Sequence, residues 1–426
     1  MTNMKEAEFG NIPLDWDFIP AEDYCCKVAD GTHDTPKPVE KGYRLVTSKH
    51  IVSNHVDFSG AYFISENDYN DINKRSKVDQ WDVLLSMIGT VGEAAIVEME
   101  TVDFAIKNVG LLKNKDELNA RWLFYYLSSH YGKHYIKTRL RGTTQAYLPL
   151  GSIREMPILV PSENQEKAEI VSILKSFDSK INLLKQQNKT LVNIAQALFK
   201  HWFVDFEFPN EEGKPYKSSG GKMVASELGE IPEGWQVGNM ENFGQIICGK
   251  TPPKNIRKYY GGNVDFIKIP DMHNKVFVHN AEDKLSTEGS DFQKNKLIPP
   301  NSINVSCIAT VGLVTINILP AHTNQQINSI VLASENYLEY LFFYLKMLKK
   351  QLINIGTGGS ATLNVNTGVF SRIEIIVPNK RIMHKYHSFT KSLFDKIKNN
   401  TIEIETLVGI RDTLLPKLMS GQIRVK

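Results

Sequence analysis

At 426 residues, with 42% hydrophobic and 23% charged residues, the chain has the length for two or three domains with real cores and the composition of an ordinary globular protein, not a disordered one. A formal net charge of +3 is too small for a uniformly basic nucleic-acid coat, so any binding of that kind must come from local patches. The four cysteines, Cys25, Cys26, Cys248 and Cys307, form no CxxC pair; this argues against a disulfide framework and a thiolate zinc site and for a reducing compartment.

The first residues, Met1-Thr2-Asn3-Met4-Lys5-Glu6, contain no apolar signal segment, and no uncharged apolar run reaches about 18 residues, so a cytoplasmic protein without membrane contact is expected. Residues 12–160 are short apolar runs broken by Gly, Pro, Asn and Asp, such as Asp82-Val83-Leu84-Leu85-Ser86 and Pro157-Ile158-Leu159-Val160-Pro161. They read as strands and turns, with one helical stretch over residues 120–135.

A long helix is predicted behind this region. Ile170, Leu174, Phe177, Ile181, Leu184, Asn188, Leu191, Ala195, Leu198 and Trp202 alternate spacings of four and three, which is the a/d seam of a coiled coil. Pro161 stands before it, where the preceding residue is turned away from the helical region. A polar linker, residues 209–230, follows.

The whole order then recurs. Ile231-Pro232-Glu233-Gly234-Trp235 repeats Ile12-Pro13-Leu14-Asp15-Trp16 at an offset of 219. Asn301-Ser302-Ile303-Asn304-Val305-Ser306 matches the strand at 82–86, and Tyr340-Leu341-Phe342-Phe343-Tyr344-Leu345 matches Trp122-Leu123-Phe124-Tyr125-Tyr126-Leu127. Pro378 precedes a second seam of Leu393, Ile397, Asn400, Ile404, Leu407, Arg411, Leu414 and Leu418. A period of half the chain is too long for a solenoid. It means two copies of an α+β domain, residues 1–160 and 231–378, each followed by a helix, at 161–208 and 379–426. The unbroken four-three spacing favours a coiled coil between the two helices.

One match imitates chemistry. Gly244-Gln245-Ile246-Ile247-Cys248-Gly249-Lys250-Thr251 fits the phosphate-loop pattern. That mechanism needs a helix to open at the Lys-Thr, and Pro252-Pro253 follows instead. No GxSxG or HExxH occurs. His33, His50 and His55 are scattered, and Cys25-Cys26 reads as a half-buried strand pair. No catalytic residue, metal or cofactor is expected in this chain.

What remains are polar loops at matching places in the two copies. In the first they hold Thr32, His33, Lys49, His50, Lys107, Asn108, Arg139, Arg141, Thr144 and Gln145. In the second they hold Lys250, Thr251, Lys254, Arg257, Lys258, Tyr259, Asn324, Gln325, Gln326, Ser360, Thr362 and Asn364. Arg and Lys suit phosphates and guanine, and Asn and Gln can bond adenine bidentately. A set of such loops placed twice favours DNA reading. A duplicated protein-binding adaptor, or more weakly a nucleotide hydrolase, is the alternative.

Several stretches carry a resemblance: Gly229-Glu230-Ile231-Pro232-Glu233-Gly234-Trp235 with its partner at 10–16, Gly249-Lys250-Thr251-Pro252, Thr323-Asn324-Gln325-Gln326-Ile327, Gly142-Thr143-Thr144-Gln145, Leu198-Phe199 before Trp202-Phe203, and the closing 414–423 segment. Together they resemble the specificity subunit of type I restriction–modification systems. The first copy departs from the pattern, with Asp15 where the second has Gly234 and Ala105-Ile106-Lys107 where the second has Thr323-Asn324-Gln325.

The resemblance implies two target recognition domains reading an asymmetric bipartite double-stranded DNA site, with the helices paired as an antiparallel coiled coil about an internal pseudo-twofold and acting as a ruler. In such a pair a symmetry centre near position 186 places Asn188 opposite Asn400. It also implies two methyltransferase subunits that bring S-adenosylmethionine, and restriction subunits that use Mg and ATP. About 33 helical residues span roughly 50 Å, or about 15 base pairs, which suits that task.

Overall fold

The structure, a computed structural model, describes residues 4–7, 10–52, 54–356 and 363–425. The chain forms two compact units, one of Met1–Ile181 with Leu407–Lys426 and one of Asn182–Thr406. Both boundaries fall inside long helices, Asn164–Phe199 and Lys380–Met419, so each unit combines an α+β body with a stretch of each helix.

In the first unit a hairpin pairs Met4–Ala7 with Gly10–Pro13, and Trp16–Pro20 pairs antiparallel with Pro157–Pro161. The main sheet is antiparallel, in the order Ala94–Ile96, Val83–Ser86, Val109–Lys113, Lys27–Asp30. A second sheet sets Phe104–Lys107 parallel to Tyr43–Thr47, with Phe63–Ile64 at the edge. The strand Val83–Ser86 is buried throughout because both its faces are covered. Val83 and Leu85 join Trp122 and Leu123 in one apolar cluster, whereas Leu84 joins Val46, Phe104 and Ile106 in another.

The helical stretch expected at 120–135 is in fact two helices, Glu117–Ser128 and His130–Arg139. Ser129 separates them: its backbone is extended and both its amide and its hydroxyl donate to Tyr126 O. Cys25 and Cys26 lie in the bend after the short helix Ala21–Tyr24, not in a strand, since Cys25 N caps that helix by donating to Ala21 O.

The second unit repeats this plan. Gln236–Asn239 pairs with Glu374–Val377, and the main sheet runs Gly244–Cys248, Ile327–Leu332, Ile303–Ser306, Val314–Asn317, Phe277–Val278. Lys284–Leu285, Tyr260–Ile267 and Ala321–Thr323 form the smaller sheet. Residues 209–230, expected as a polar linker, are largely exposed and none of them is buried, yet they are ordered by an aromatic contact and a hairpin. Phe208 stacks on Trp235 with centroids 5.1 Å apart and on Tyr216 at 4.6 Å. Met223–Ser226 and Gly229–Pro232 then form a hairpin in which Met223 faces Pro232, as Met4 faces Pro13 in the first copy. The repeated body thus includes this hairpin, whose second strand carries the Ile-Pro motif in both copies.

Within each unit the helix segments run antiparallel. In the first, Ile170 and Leu174 share a cluster with Leu415, Leu418 and Met419, and Asp178 accepts from Arg411 at 2.7 Å. In the second, Asn188 meets Asn400, and Tyr386 Oη donates to Ala195 O at 3.3 Å. Ile181, Leu184, Ala195, Trp202 and Ile397 of the seam are buried, while Phe177, Leu191, Leu198, Leu393, Ile404, Leu407 and Leu414 are half-buried. The heptad phase ends in a π turn at Lys200–Val204, which buries Trp202 and Phe203 together, with Phe203 edge-on to Tyr386 at 4.8 Å.

Candidate nucleic-acid interface

The register of the main sheets gathers the polar loops. In the first unit Val109 faces Ser86 and Gly110 faces Asp30. The loops that leave Asp30 and Ser86 and the one that enters Val109 therefore share one end of the sheet. Residues 141–147 join them, because Tyr147 bridges both Arg141 and Ile88 and Leu148 N donates to Met87 O. In the parallel sheet Thr47 faces Lys107, which brings Ser48–His50 to the same place.

The second unit is built alike. Cys248 faces Asn328 and Ser306 faces Ile327, so the loops after Cys248 and Ser306 meet residues 324–326. Asn364 bridges Ile308, as Tyr147 bridges Ile88.

A main-chain crossing holds each array. Gly31 N donates to Val109 O at 2.9 Å, and Gly249 N donates to Ile327 O at 3.1 Å. A side chain on either glycine would collide with backbone, the carbonyl of Ile106 in one copy and those of Thr323 and Asn324 in the other.

Over the first crossing, His33 lies between Asn108 Oδ1 at 2.8 Å and Asp30 Oδ2 at 3.0 Å. Lys107 Nζ donates to Thr35 Oγ1, and Thr32 bridges Lys107. Lys49 is exposed nearby. His50 is only 3% exposed, and its Nδ1 accepts from Thr47 N at 2.9 Å; it is a structural residue and not the surface contact expected. Arg139, Arg141, Thr144 and Gln145 are exposed, with the Arg139 guanidinium 5.0 Å from the centre of the Tyr135 ring.

Over the second crossing, Thr251 Oγ1 donates to Gln325 Oε1 at 2.6 Å. Lys250 Nζ sits 4.8 Å from the centre of the Phe292 ring, which stacks on Tyr259. Phe292 is 43% exposed and escaped the sequence reading, since a lone aromatic at the end of the short helix Thr287–Phe292 carries no motif. Lys254 and Arg257 are exposed, Lys258 pairs with Glu288 at 3.0 Å, Gln326 is half-buried, and Asn364 is exposed. Asn324 is buried, and its side chain bonds the side chain and the amide of Gln326, so it shapes the turn and is not available to a base as expected. Ser360 and Thr362 lie outside the described residues.

The phosphate-loop pattern has no phosphate geometry. The amides of Gly249 and Lys250 are spent on Ile327 O and Thr323 O, and the segment after Thr251 leads into a single 3-10 turn at Arg257–Tyr259. Burial pushes the Cys25 thiol up to about 12 and the Cys307 thiol up to about 11, far from a thiolate nucleophile. Among the described residues, no group of three His, Cys, Asp or Glu side chains could hold a metal ion, and no helix is long and apolar enough to cross a membrane.

The family described as "Type I restriction modification DNA specificity domain" matches this chain twice, over residues 36–193 and 232–407. The chain is 39% identical to the HindI specificity subunit of Haemophilus influenzae over 356 residues, covering 71% of this chain and 77% of that one. It is 28% identical to the MjaIX specificity subunit of Methanocaldococcus jannaschii over an alignment of 440 residues, covering 100% of this chain and 97% of the relative. In fold it is similar to the type I restriction–modification S subunit from M. genitalium, with a TM-score of 0.58 at 14% identity over 98% of this chain and 99% of that one. With one specificity domain matched twice over most of its length, the chain belongs to the type I restriction–modification specificity subunits and carries two target recognition domains.

Proposed function

We propose that each unit reads one half of a bipartite, asymmetric DNA site through the loops at its sheet end, and that the helix pair sets the spacing between the halves. One observation carries this reading: the same glycine-crossed loop array is built twice and bears different side chains, His33, Lys107 and Asn108 in one copy and Lys250, Thr251 and Gln325 in the other. Such groups can contact phosphates and base edges, and two different sets call for two different half-sites.

The chain performs no chemistry in this reading. It docks two methyltransferase subunits, which hold S-adenosylmethionine, and restriction subunits, which use ATP and Mg, in the cytoplasm. The helix Asn164–Phe199, at 36 residues, has the reach of about 54 Å that a spacer of this kind needs. The nucleotide-hydrolase alternative is disfavoured because the amides that would cradle phosphate are already bonded.

Mapping methylated adenines in cells that carry the chain and its methyltransferase partner tests the reading. Exchange of residues 231–378 for the corresponding domain of a relative should change one half of the modified sequence and leave the other intact. Change in both halves, or in neither, would falsify modular reading.

A further inference from the structure

Asn400 is fully buried in the second unit, between apolar seam residues. Its Nδ2 donates to Gln187 Oε1 and to Asn188 Oδ1, both at 2.8 Å. Both amide hydrogens are therefore used, by two consecutive residues of the facing helix. Its Oδ1 meets no partner among the described residues. A buried amide with an orphaned acceptor is a poor way to stabilise a helix pair, and leucine would serve better. What the amide supplies is selection. A shift of the helices past one another brings Nδ2 against Leu184 or Leu191 and leaves it without an acceptor. A leucine at the same place would tolerate such a shift.

We infer that the Gln187–Asn188–Asn400 amide cluster locks the register of the helix pair, and that Asn400 is thereby a positioning residue for half-site spacing. This rests on the proposed function, in which the helix pair sets that spacing. Asn400 touches no DNA in this inference; it acts through the helices that hold the reading loops.

The test uses the full chain with its methyltransferase partner. Asn400→Leu, and separately Asn188→Leu with Asn400→Leu, are compared with the native chain by thermal unfolding and by genome-wide mapping of methylated sites. The control is Leu184→Ala, a seam variant that removes packing without touching the amides. The expected result for both leucine variants is a Tm a few degrees higher and unchanged half-site sequences. Modification should also spread to sites whose spacer is one base pair longer or shorter, which the native chain leaves unmodified. Leu184→Ala should lower Tm and keep the single spacer. A spacer that stays single-valued in both leucine variants overturns the inference, as does a fall in Tm or loss of folding in both, because the amides would then be ordinary stabilising contacts. If the native chain modifies no bipartite site at all, the proposed function fails and takes this inference with it, an outcome visible before any variant is made.

Discussion

The two copies fill one slot in their main sheets with opposite chemistry. In the first, Leu84 faces Leu111 on one neighbouring strand and Ala95 on the other, and all three are buried in one apolar cluster. In the second, the same register sets Asn304 against Ser329 and Thr315, equally buried. Ser329 Oγ donates to Asn304 Oδ1 at 2.7 Å, and Asn317 Nδ2 donates to Pro299 O and Leu319 O, both at 2.7 Å. Strand register and burial are therefore common property of the fold, whereas apolarity at a given slot is not: the buried Asn304, Ser329 and Asn317 side chains find partners, while Thr315 Oγ1 has none among the described residues.

The tryptophans of the Ile-Pro motifs repeat the lesson. Trp16 Nε1 donates to the buried Glu166 at 3.1 Å, and Arg424 bonds Glu166 and Asp15. Trp235 sits instead among Phe203, Phe206 and Phe208, and its Nε1 finds no acceptor among the described residues. Both rings pack against aromatic neighbours, Trp16 against Trp122 at 5.8 Å, but only Trp16 has an ionic acceptor for its indole N–H.

The tryptophans offer the hardest test of this contrast. Trp235→Ala should cost about 3–5 kcal/mol by cavity formation alone. Trp16→Ala should cost more, since it also leaves the buried Glu166 short of a donor. Unfolding of the two variants in denaturant measures both, and equal costs would break the comparison.

Next in size are the sheet slots. Asn304→Leu should destabilise by about 1–3 kcal/mol, because Ser329 loses its acceptor inside the sheet. A stabilised variant would show that the polar slot is a relic of no consequence.

The reading loops should give effects of about 1–3 kcal/mol for any side chain that bonds a base. His33→Ala should alter recognition of one half-site only, and Gln325→Ala that of the other, as read by methylation of paired half-site variants. Smaller still is the effect expected at Ala309, which has φ 62° where the first copy has Gly89 at φ 82°. Ala309→Gly should stabilise by about 1 kcal/mol, whereas Gly89→Ala should destabilise.

The smallest difference is in pH response. Hydrogen bonds from Arg424 hold the Asp15 carboxyl below its usual 3.8, so its small contribution is complete above that pH and is lost as pH falls through the lower folded value. The Glu339 carboxylate, 2.7 Å away, raises His387 above its usual 6.5. That contribution is complete below pH 6.5 and is lost as pH rises through the raised value. Asp15→Asn should therefore flatten the acid limb of the stability curve, and His387→Gln the limb above neutrality.

Much of this architecture was legible because it is periodic. The 4-3 spacing and the half-length offset are one-dimensional signals; with the antiparallel pairing that the resemblance implies, they put Asn188 opposite Asn400, and the structure finds the two side chains 2.8 Å apart. The hairpin at 223–232 was not legible, because Met223-Val224-Ala225-Ser226 shares little spelling with Met4-Lys5-Glu6-Ala7 and keeps only its register. The packing of Phe208 and Tyr216 depends on Trp235, and nothing local to residues 209–222 announces it. Asn324 looked like a base reader by residue type, yet it follows a strand buried along its whole length and is drawn inward with it. Side-chain chemistry suggested where recognition belongs, but only the sheet ends determine which of those groups face outward.

The two glycine crossings have a consequence for how such a protein can change. Gly31 and Gly249 are each joined by a main-chain hydrogen bond, from Gly31 N to Val109 O and from Gly249 N to Ile327 O, and neighbouring carbonyls leave no room for a Cβ; the Arg75 guanidinium also donates to Gly31 O at 2.8 Å. Residues a few positions along can be replaced without disturbing the joint that aims them. Heritable variation is thereby uncoupled from foldability at the positions where novelty is useful. If these loops read DNA as proposed, their sequences can be searched one substitution at a time, with the frame unchanged beneath them.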